Sequence, residues 1–273
     1  MRELIDCHIH TQRCGHAVGT VEDYVRVAVE RGLVGMALTE HLPMPEGMDP
    51  QSEVSMPACD LEDYLVEVDL TRNRYPQIEI ITGVEADYLP ERMDEVRATI
   101  KDATQRSDGA TVILGSVHLL AGWAFDDPRT VESWESRSVD QAWEEYFATW
   151  CDACRTGLFD VMAHPDLVKK FGHVPSTDTR EFYAEAARVA AQTGVLIEVS
   201  TAGLRKPVGE LYPGPELLHA FFDAGVVATV GSDAHAPQEV GMQIELAYEA
   251  MSAAGYRAAA FPDGVGGWRS IPL

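Results

Sequence analysis

The chain has no long hydrophobic run, few basic residues and few cysteines, and each shortage removes a class of function. No apolar stretch of its 273 residues reaches the roughly 18 needed to span a membrane. Lys and Arg total 21 against 44 Asp and Glu, a net charge of -23. Such a surface repels a phosphate backbone, so tight nucleic-acid binding is not expected. The only basic pairs are Lys169-Lys170 and Arg205-Lys206. The bulk of the acidity reads as solubility or adaptation to salt. Five cysteines are too few, and odd in number, for a disulfide framework. Cys151 and Cys154 form a C-x-x-C with no second pair, so they read as two thiols on one helix face rather than a structural zinc site. Neither repeats nor low-complexity segments occur. The start Met1-Arg2-Glu3-Leu4-Ile5-Asp6 lacks the pattern of a secretion signal, so a cytoplasmic, reduced setting is the expectation.

What is present is a regular alternation. Strand-like apolar runs fall at residues 4–8, 34–39, 79–85, 112–117, 161–164, 195–200 and 226–231. Amphipathic helical stretches fall at 20–31, 60–75, 91–105, 139–156, 177–193, 215–224 and 238–254. Thr20 and Asp23 suggest a capping-box start. Gly32, Gly157, Gly194, Gly225 and Gly255 stand where left-handed helix caps are expected. Seven βα units in series fit either a doubly wound sheet or a barrel. An open sheet gathers its site at one switch point. Here polar ligand types end six different strands, as a barrel mouth requires. The expected fold is one α/β domain over residues 1–273, a distorted seven-stranded (β/α)7 barrel. Residues 42–59, rich in Pro and Met, form a loop long enough to act as a lid over that mouth.

Seven of the nine histidines sit at or just past strand ends. His8 and His10 are two apart on an extended segment, so both side chains face one way and can reach one ion. His16 follows. Thr39-Glu40-His41 ends the second strand, Gly83-Val84-Glu85 the third, and His118 and His164 follow the fourth and fifth. Asp233-Ala234-His235 follows the last. One such histidine would more often be a satisfied polar residue. Seven crowded imidazoles without an ion would be costly to desolvate and would repel one another once protonated. A polynuclear hydrolytic site follows.

This set resembles the polymerase-and-histidinol-phosphatase (PHP) family, distorted seven-stranded barrels with two or three metal ions. The resemblance covers essentially the whole chain. It implies that His8, His10, Glu85 and Asp233 hold one ion. Glu85 bridges to a second held by His118 and His164, and His16, His41 and His235 hold a third. Three segments are similar to the histidinol-phosphate phosphatase branch: Gly115-Ser116-Val117-His118 with Gly122-Trp123-Ala124-Phe125-Asp126; Ala163-His164-Pro165-Asp166-Leu167-Val168-Lys169-Lys170-Phe171-Gly172; and Ser200-Thr201-Ala202-Gly203-Leu204-Arg205-Lys206-Pro207 with Tyr212-Pro213. Ala124 and the Ser200-Thr201-Ala202 run depart from the branch pattern.

The implied reaction is hydrolysis of histidinol phosphate in histidine synthesis. Three divalent ions against two carboxylates leave a local charge of roughly +4, suited to a phosphate dianion. Histidine-rich ligand sets favour zinc, iron or manganese over calcium or magnesium. Arg205, after the one strand lacking a ligand, is the expected phosphate clamp; Lys169 and Lys170 are weaker candidates. Asp166 is either the proton donor to the leaving alkoxide or a partner of a ligand histidine, and Glu40 shares that ambiguity. His173, Trp123, Phe125 and Tyr212 are candidates to contact the substrate, the aromatics by packing on its imidazole. His219 sits in a helical run and reads as structural. The expected partner is a small phosphate ester, with neither nucleic acid nor membrane. Alternatives are a phosphoesterase acting on a nucleotide, an amidohydrolase-type C–N hydrolase, and a non-catalytic metal binder. The C–N class commonly bridges its ions with a modified lysine, where this chain has Glu85.

Overall fold

The computed structural model describes residues 2–107, 109 and 111–273. Met1, part of the acidic chain start, lies outside them. Seven strands pair in parallel in chain order: β1 (Leu4–Asp6), β2 (Leu33–His41), β3 (Glu79–Asp87), β4 (Val112–Ser116), β5 (Val161–Met162), β6 (Leu196–Ser200) and β7 (Ala228–Gly231). They are almost wholly buried. Their near-continuous Val, Ile and Leu runs follow from coverage on both faces.

The first and last strands close the ring. Cys7 donates its N–H to Val230 O at 2.9 Å, and Ile9 and Ala234 form a parallel bridge. The Asp6 carboxylate accepts the N–H groups of Ser232 at 2.8 Å and Gly241 at 2.7 Å. That buried acid therefore ties β1 to the segment beyond β7, and the ring is a nearly closed barrel.

Helices follow each strand: α1 (Val21–Glu30), α2 (Leu61–Arg74), α3 (Met93–Arg106), α4 (Val139–Arg155), α5 (Arg180–Thr193), α6 (Pro215–Asp223) and α7 (Ile244–Ala254). Thr20 and Asp23 form the anticipated reciprocal cap. The five cap glycines all have positive φ. Cys151 and Cys154 are buried free thiols on α4. No described helix is long and apolar enough to cross a membrane.

The chain departs from the sequence expectation where backbone donors are already committed. α7 begins at Ile244 rather than 238, because Gly241 gives its N–H to Asp6 and has φ 65°. α5 begins at Arg180 rather than 177, because the Ser176 and Thr177 N–H groups are held by Asp140. Two hairpins had no counterpart in the sequence reading. A short one pairs Leu119–Leu120 with Trp123–Ala124. The other pairs β8 (Ala258–Pro262) with β9 (Trp268–Pro272) and caps the bottom of the barrel. Its Phe261 ring lies where a Cβ on Gly35 would be, and Ala260 O accepts the Thr229 hydroxyl at 2.7 Å.

Phe261 is fully buried at the end of the barrel far from the histidines. Phe261→Ala is expected to lower unfolding free energy by about 3–5 kcal/mol, read by denaturant unfolding, with bound metal per chain unchanged.

Candidate metal centre

The parallel register delivers the donors to one end. His41 and Glu85 are direct neighbours across β2 and β3, and both lie at the C-terminal ends of their strands. Glu85 stands in the middle of the cluster. Its Oε2 lies 3.3 Å from His8 Nε2, 3.4 Å from His10 Nε2 and 3.2 Å from His41 Nδ1. Its Oε1 lies 3.2 Å from His164 Nε2 and 4.0 Å from His118 Nε2. Asp233 Oδ1 lies 3.3 Å from His10 Nε2 and 3.7 Å from His8 Nε2. His16 completes the group, its ring centroid 5.2 Å from that of His41 and 4.7 Å from that of His235. All nine predicted donors thus converge.

Three compact sets stand out: His8, His10 and Asp233; Glu85, His118 and His164; and His10, His41 and His235. Cys14 lies close enough to His16 and His235 to form a fourth set. Its thiol instead donates to Thr11 O at 3.3 Å, and burial pushes it far above its ordinary pKa.

Backbone strain helps aim two of the donors. His164 has φ 30° and Asp233 φ 51°, a region non-glycine residues adopt at a cost of about 1–3 kcal/mol. Such strain persists only where surrounding contacts impose it. The Tyr146 hydroxyl donates to His164 O at 3.2 Å, and Arg205 Nη2 donates to Asp233 O at 3.2 Å.

Sequence reasoning missed the carboxylates that orient the rings. His8 Nδ1 bonds Glu198 Oε1 at 2.9 Å, while Glu198 Oε2 accepts the His164 N–H at 2.9 Å. His118 Nδ1 bonds Asp87 at 2.9 Å. A carboxylate at Nδ1 keeps the proton there and leaves the Nε2 lone pair facing the cluster. Backbone carbonyls do the same for His16, through Cys14 O at 3.1 Å, and for His235, through Asp233 O at 3.1 Å. Glu40 Oε1 stands 3.6 Å from His10 Nδ1, and its other oxygen is bound to the Thr11 N–H at 2.8 Å. A signal for Glu198 was present: it is the one charged residue in its own apolar strand, Leu196–Ser200. Gly231 is what lets it reach, since a Cβ there would overlap Glu198 Oε1.

The charge pattern is uneven. Burial opposes the charge on His8, yet Glu198, Glu85 and Asp233 hold its pKa well above the ordinary value. Against burial, Asp233 and Glu40 push His10 up to about 9. Against burial, Asp87 pushes His118 up to about 10. Burial and the neighbouring His10 lower His16, His41 and His235. Burial also works to raise Glu85 and Asp233, but the surrounding rings hold both well below the carboxylate range. Two ionised acids thus sit amid rings that compete for protons.

The remaining predicted residues divide. Arg205 Nη2 is held by Ser232 O at 2.7 Å as well as by Asp233 O; its Nε stands 3.4 Å from Glu239 Oε1, and its Nη1 is buried without a hydrogen bond. Lys169 is buried, 2.8 Å from Asp166 and 3.1 Å from Glu210. Lys170 pairs with Asp126 at 2.9 Å. Both ammoniums are thus engaged by carboxylates. Asp166 Oδ2 accepts the Gly214 N–H at 2.8 Å in addition to Lys169, rather than bonding a histidine. Burial raises its pKa, with Lys169 acting in opposition. Phe125 is buried edge-on to Tyr146. Trp123 packs on Trp134, which stacks on His173 at 4.3 Å, so those three form an aromatic stack of their own. Tyr212 is buried beneath Lys169, 5.7 Å from ammonium to ring centroid. His219 bonds Pro215 O within α6. The 42–59 loop is ordered by Asp49, which accepts the N–H groups of Glu53, Val54 and Ser55. It returns to the mouth where Met56 N–H meets His41 O at 3.2 Å.

The PHP domain profile matches residues 6–202. A Deinococcus radiodurans protein described as a probable histidinol-phosphatase is 36% identical over 263 residues, 96% of this chain and 97% of its own. The histidinol-phosphatase of Bacillus subtilis is 27% identical over 261 residues, 88% of this chain and 96% of its own. The crystal structure of histidinol phosphate phosphatase from Lactococcus lactis, complexed with zinc, L-histidinol and phosphate, superposes with a TM-score of 0.81 at 22% identity. The match covers 97% of this chain and 99% of that one, and at that identity it speaks for the shared fold.

Removing an orienting carboxylate should weaken ion binding without unfolding the barrel. Glu198→Ala is expected to lower divalent-ion affinity by about 10–100-fold, read by competition with a chromophoric chelator. Gly231→Ala should act in the same direction by displacing that carboxylate. A cation must also displace the protons held by His8, His10 and His118. Loading at pH 7 should therefore release protons, and affinity should rise with pH toward the raised values of those rings. Calorimetry in buffers of different ionisation enthalpy measures this; ion binding with no proton release would contradict it.

Proposed function

The chain belongs to the PHP domain family, and on that premise we propose that it is a metal-dependent phosphate monoester hydrolase that converts L-histidinol phosphate and water to L-histidinol and phosphate in histidine synthesis. The observation that carries the reading is the convergence of seven imidazoles and two ionised carboxylates at one barrel mouth. Similarity over nearly full length to a protein described as a probable histidinol-phosphatase supports the choice of substrate. The partner is then a small phosphate ester.

The donor set fits divalent ions. His8 Nε2 and His10 Nε2 are buried with no hydrogen-bond partner, a costly arrangement unless a cation takes those lone pairs. We assign His8, His10, Glu85 and Asp233 to one ion, Glu85, His118 and His164 to a second, and His16, His41 and His235 to a third. The ligand chemistry suits zinc, iron or manganese. Bound divalent ions supply Lewis-acid neutralisation of phosphate oxygens and make water acidic enough to act as a nucleophile near neutrality.

The chain's own residues do the rest. Glu198 and Asp87 hold the rings of His8 and His118 in one tautomer. Arg205, anchored through Nη2 and paired at Nε with Glu239, offers its Nη1 to the non-bridging phosphate oxygens. The segment through Met56 reaches the edge of the cluster, where the Met56 N–H donates to His41 O. Beyond them lie the Asp126–Lys170 and Asp166–Lys169 ion pairs.

The purified protein should release phosphate from histidinol phosphate far faster than from nucleoside monophosphates, and should stop when its metal is removed by prolonged chelation. Equal rates on all small esters would reject the substrate and keep the chemistry; undiminished activity after metal removal would reject both. His8→Ala and Asp233→Asn should lower turnover by roughly 10³-fold or more, the equivalent of several kcal/mol of lost charge stabilisation, together with metal content. Arg205→Ala should raise KM by about 10–100-fold with metals retained. Loss of metal with KM unchanged would show that the arginine serves Asp233 instead of phosphate.

A further inference from the structure

One carboxylate at the rim touches two site residues at once. Glu239 Oε2 accepts the His235 N–H at 2.9 Å, and Oε1 stands 3.4 Å from Arg205 Nε. Glu239 closes the short turn Pro237–Glu239 that follows His235. The turn folds its side chain back over the rim, onto an ion ligand on one side and the free arginine on the other.

That turn is fixed from several directions. Arg31, just past α1, donates to Val240 O at 2.6 Å and to Gln238 O at 2.7 Å. Gly241 gives its N–H to Asp6 on β1 at 2.7 Å. The Thr201 hydroxyl, just past β6, donates to Met242 O at 2.8 Å. Backbone groups on both sides of Glu239 are therefore committed to the barrel and its first helix. A carboxylate on so constrained a turn, with one oxygen bonded to His235, presents the other at a fixed place.

Arg205 receives it. The two side chains are 15% and 27% exposed, so the pair is partly shielded from the screening that leaves exposed ion pairs worth little. Arg205 Nη2 is held by Ser232 O and Asp233 O. Contacts at Nε and Nη2 fix both the place and the plane of a rigid guanidinium, and leave Nη1 without a partner. A long side chain held in advance loses less freedom when an anion arrives. A carboxylate beside a phosphate binder also repels the anion, a cost that positioning offsets.

We propose that Glu239 is a positioning residue for phosphate recognition: it locks Arg205 in the orientation that meets the anion and ties that orientation to the backbone of His235. This rests on Arg205 as the phosphate clamp and adds the residue through which the clamp is held.

A double-mutant cycle tests it. Metal-loaded wild type, Glu239→Gln, Arg205→Ala and the double variant are titrated with inorganic phosphate by calorimetry. Metal content and unfolding temperature are measured for each, with KM and kcat on L-histidinol phosphate. Glu239→Gln keeps an oxygen for the His235 N–H and removes the charge facing Arg205. It is expected to weaken phosphate binding by about tenfold and to raise KM more than it lowers kcat, with the ion count unchanged. The double variant should bind phosphate no more weakly than Arg205→Ala alone, because Glu239 acts through the guanidinium. Losses that multiply in the double variant overturn the proposal, as does undiminished phosphate affinity in Glu239→Gln. An ion missing from Glu239→Gln also overturns it, since the carboxylate would then serve His235. Arg205→Ala binding phosphate as tightly as wild type rejects the clamp and the proposal with it. If Glu239→Gln does not fold, Glu239→Asp takes its place in the cycle: it keeps the charge, draws it back from Arg205, and is judged by the same outcomes.

Discussion

One buried carboxylate organises the molecule. Glu85 lies at the end of β3 with one oxygen against His8, His10 and His41 and the other against His164 and His118. A lone ionised acid in such a place would be strongly disfavoured by desolvation. It is kept ionised because the rings around it offset burial. The rings in turn are tolerable at this density only where negative charge, and then cations, separate them. Removing the central acid would leave imidazoles facing imidazoles, so the fold of the mouth and its chemistry share one electrostatic solution.

The barrel exists to impose that arrangement. Parallel strands of similar register bring donors from distant parts of the chain to one rim, and closure through Asp6 fixes the distance between first and last strand. The unusual backbone at His164 and Asp233 shows where the rim is forced to aim side chains inward. Outside the donors lies a shell of Glu198, Asp87 and Arg205, and outside that the ion pairs Asp126–Lys170 and Asp166–Lys169. Seven histidines and two such ion pairs gather at one rim of a protein of net charge -23, so the global charge says little about what the mouth attracts.

Much of this was legible in the sequence. Seven apolar runs separated by amphipathic stretches gave the strand count and order. Histidines at strand ends gave the location of the site, because period-two geometry and barrel topology together leave them one place to meet. Glu198 was harder to see. The sixth strand seemed to lack a ligand, whereas it supplies the acid that orients His8 and supports His164. An isolated charge in an apolar strand was the available clue. Asp87, two residues past Glu85 on the same strand face, was a second. The lysines needed the fold in another way: Lys169 and Lys170 were the weaker candidates for phosphate, and only spatial neighbours reveal that they pair with Asp166, Glu210 and Asp126. The β8–β9 hairpin escaped notice because its Ala-rich first strand has little β preference, and its stability comes from Phe261 packing on Gly35.

The central claim is that nine side chains form a single polynuclear cation site. Anomalous diffraction at the zinc, iron and manganese absorption edges, from crystals of the metal-loaded protein, tests it directly. The account predicts three peaks at the barrel mouth, one among His8, His10, Glu85 and Asp233, one among Glu85, His118 and His164, and one among His16, His41 and His235. A mouth without anomalous signal in a protein that still releases phosphate, or ions held elsewhere on the chain, would contradict it.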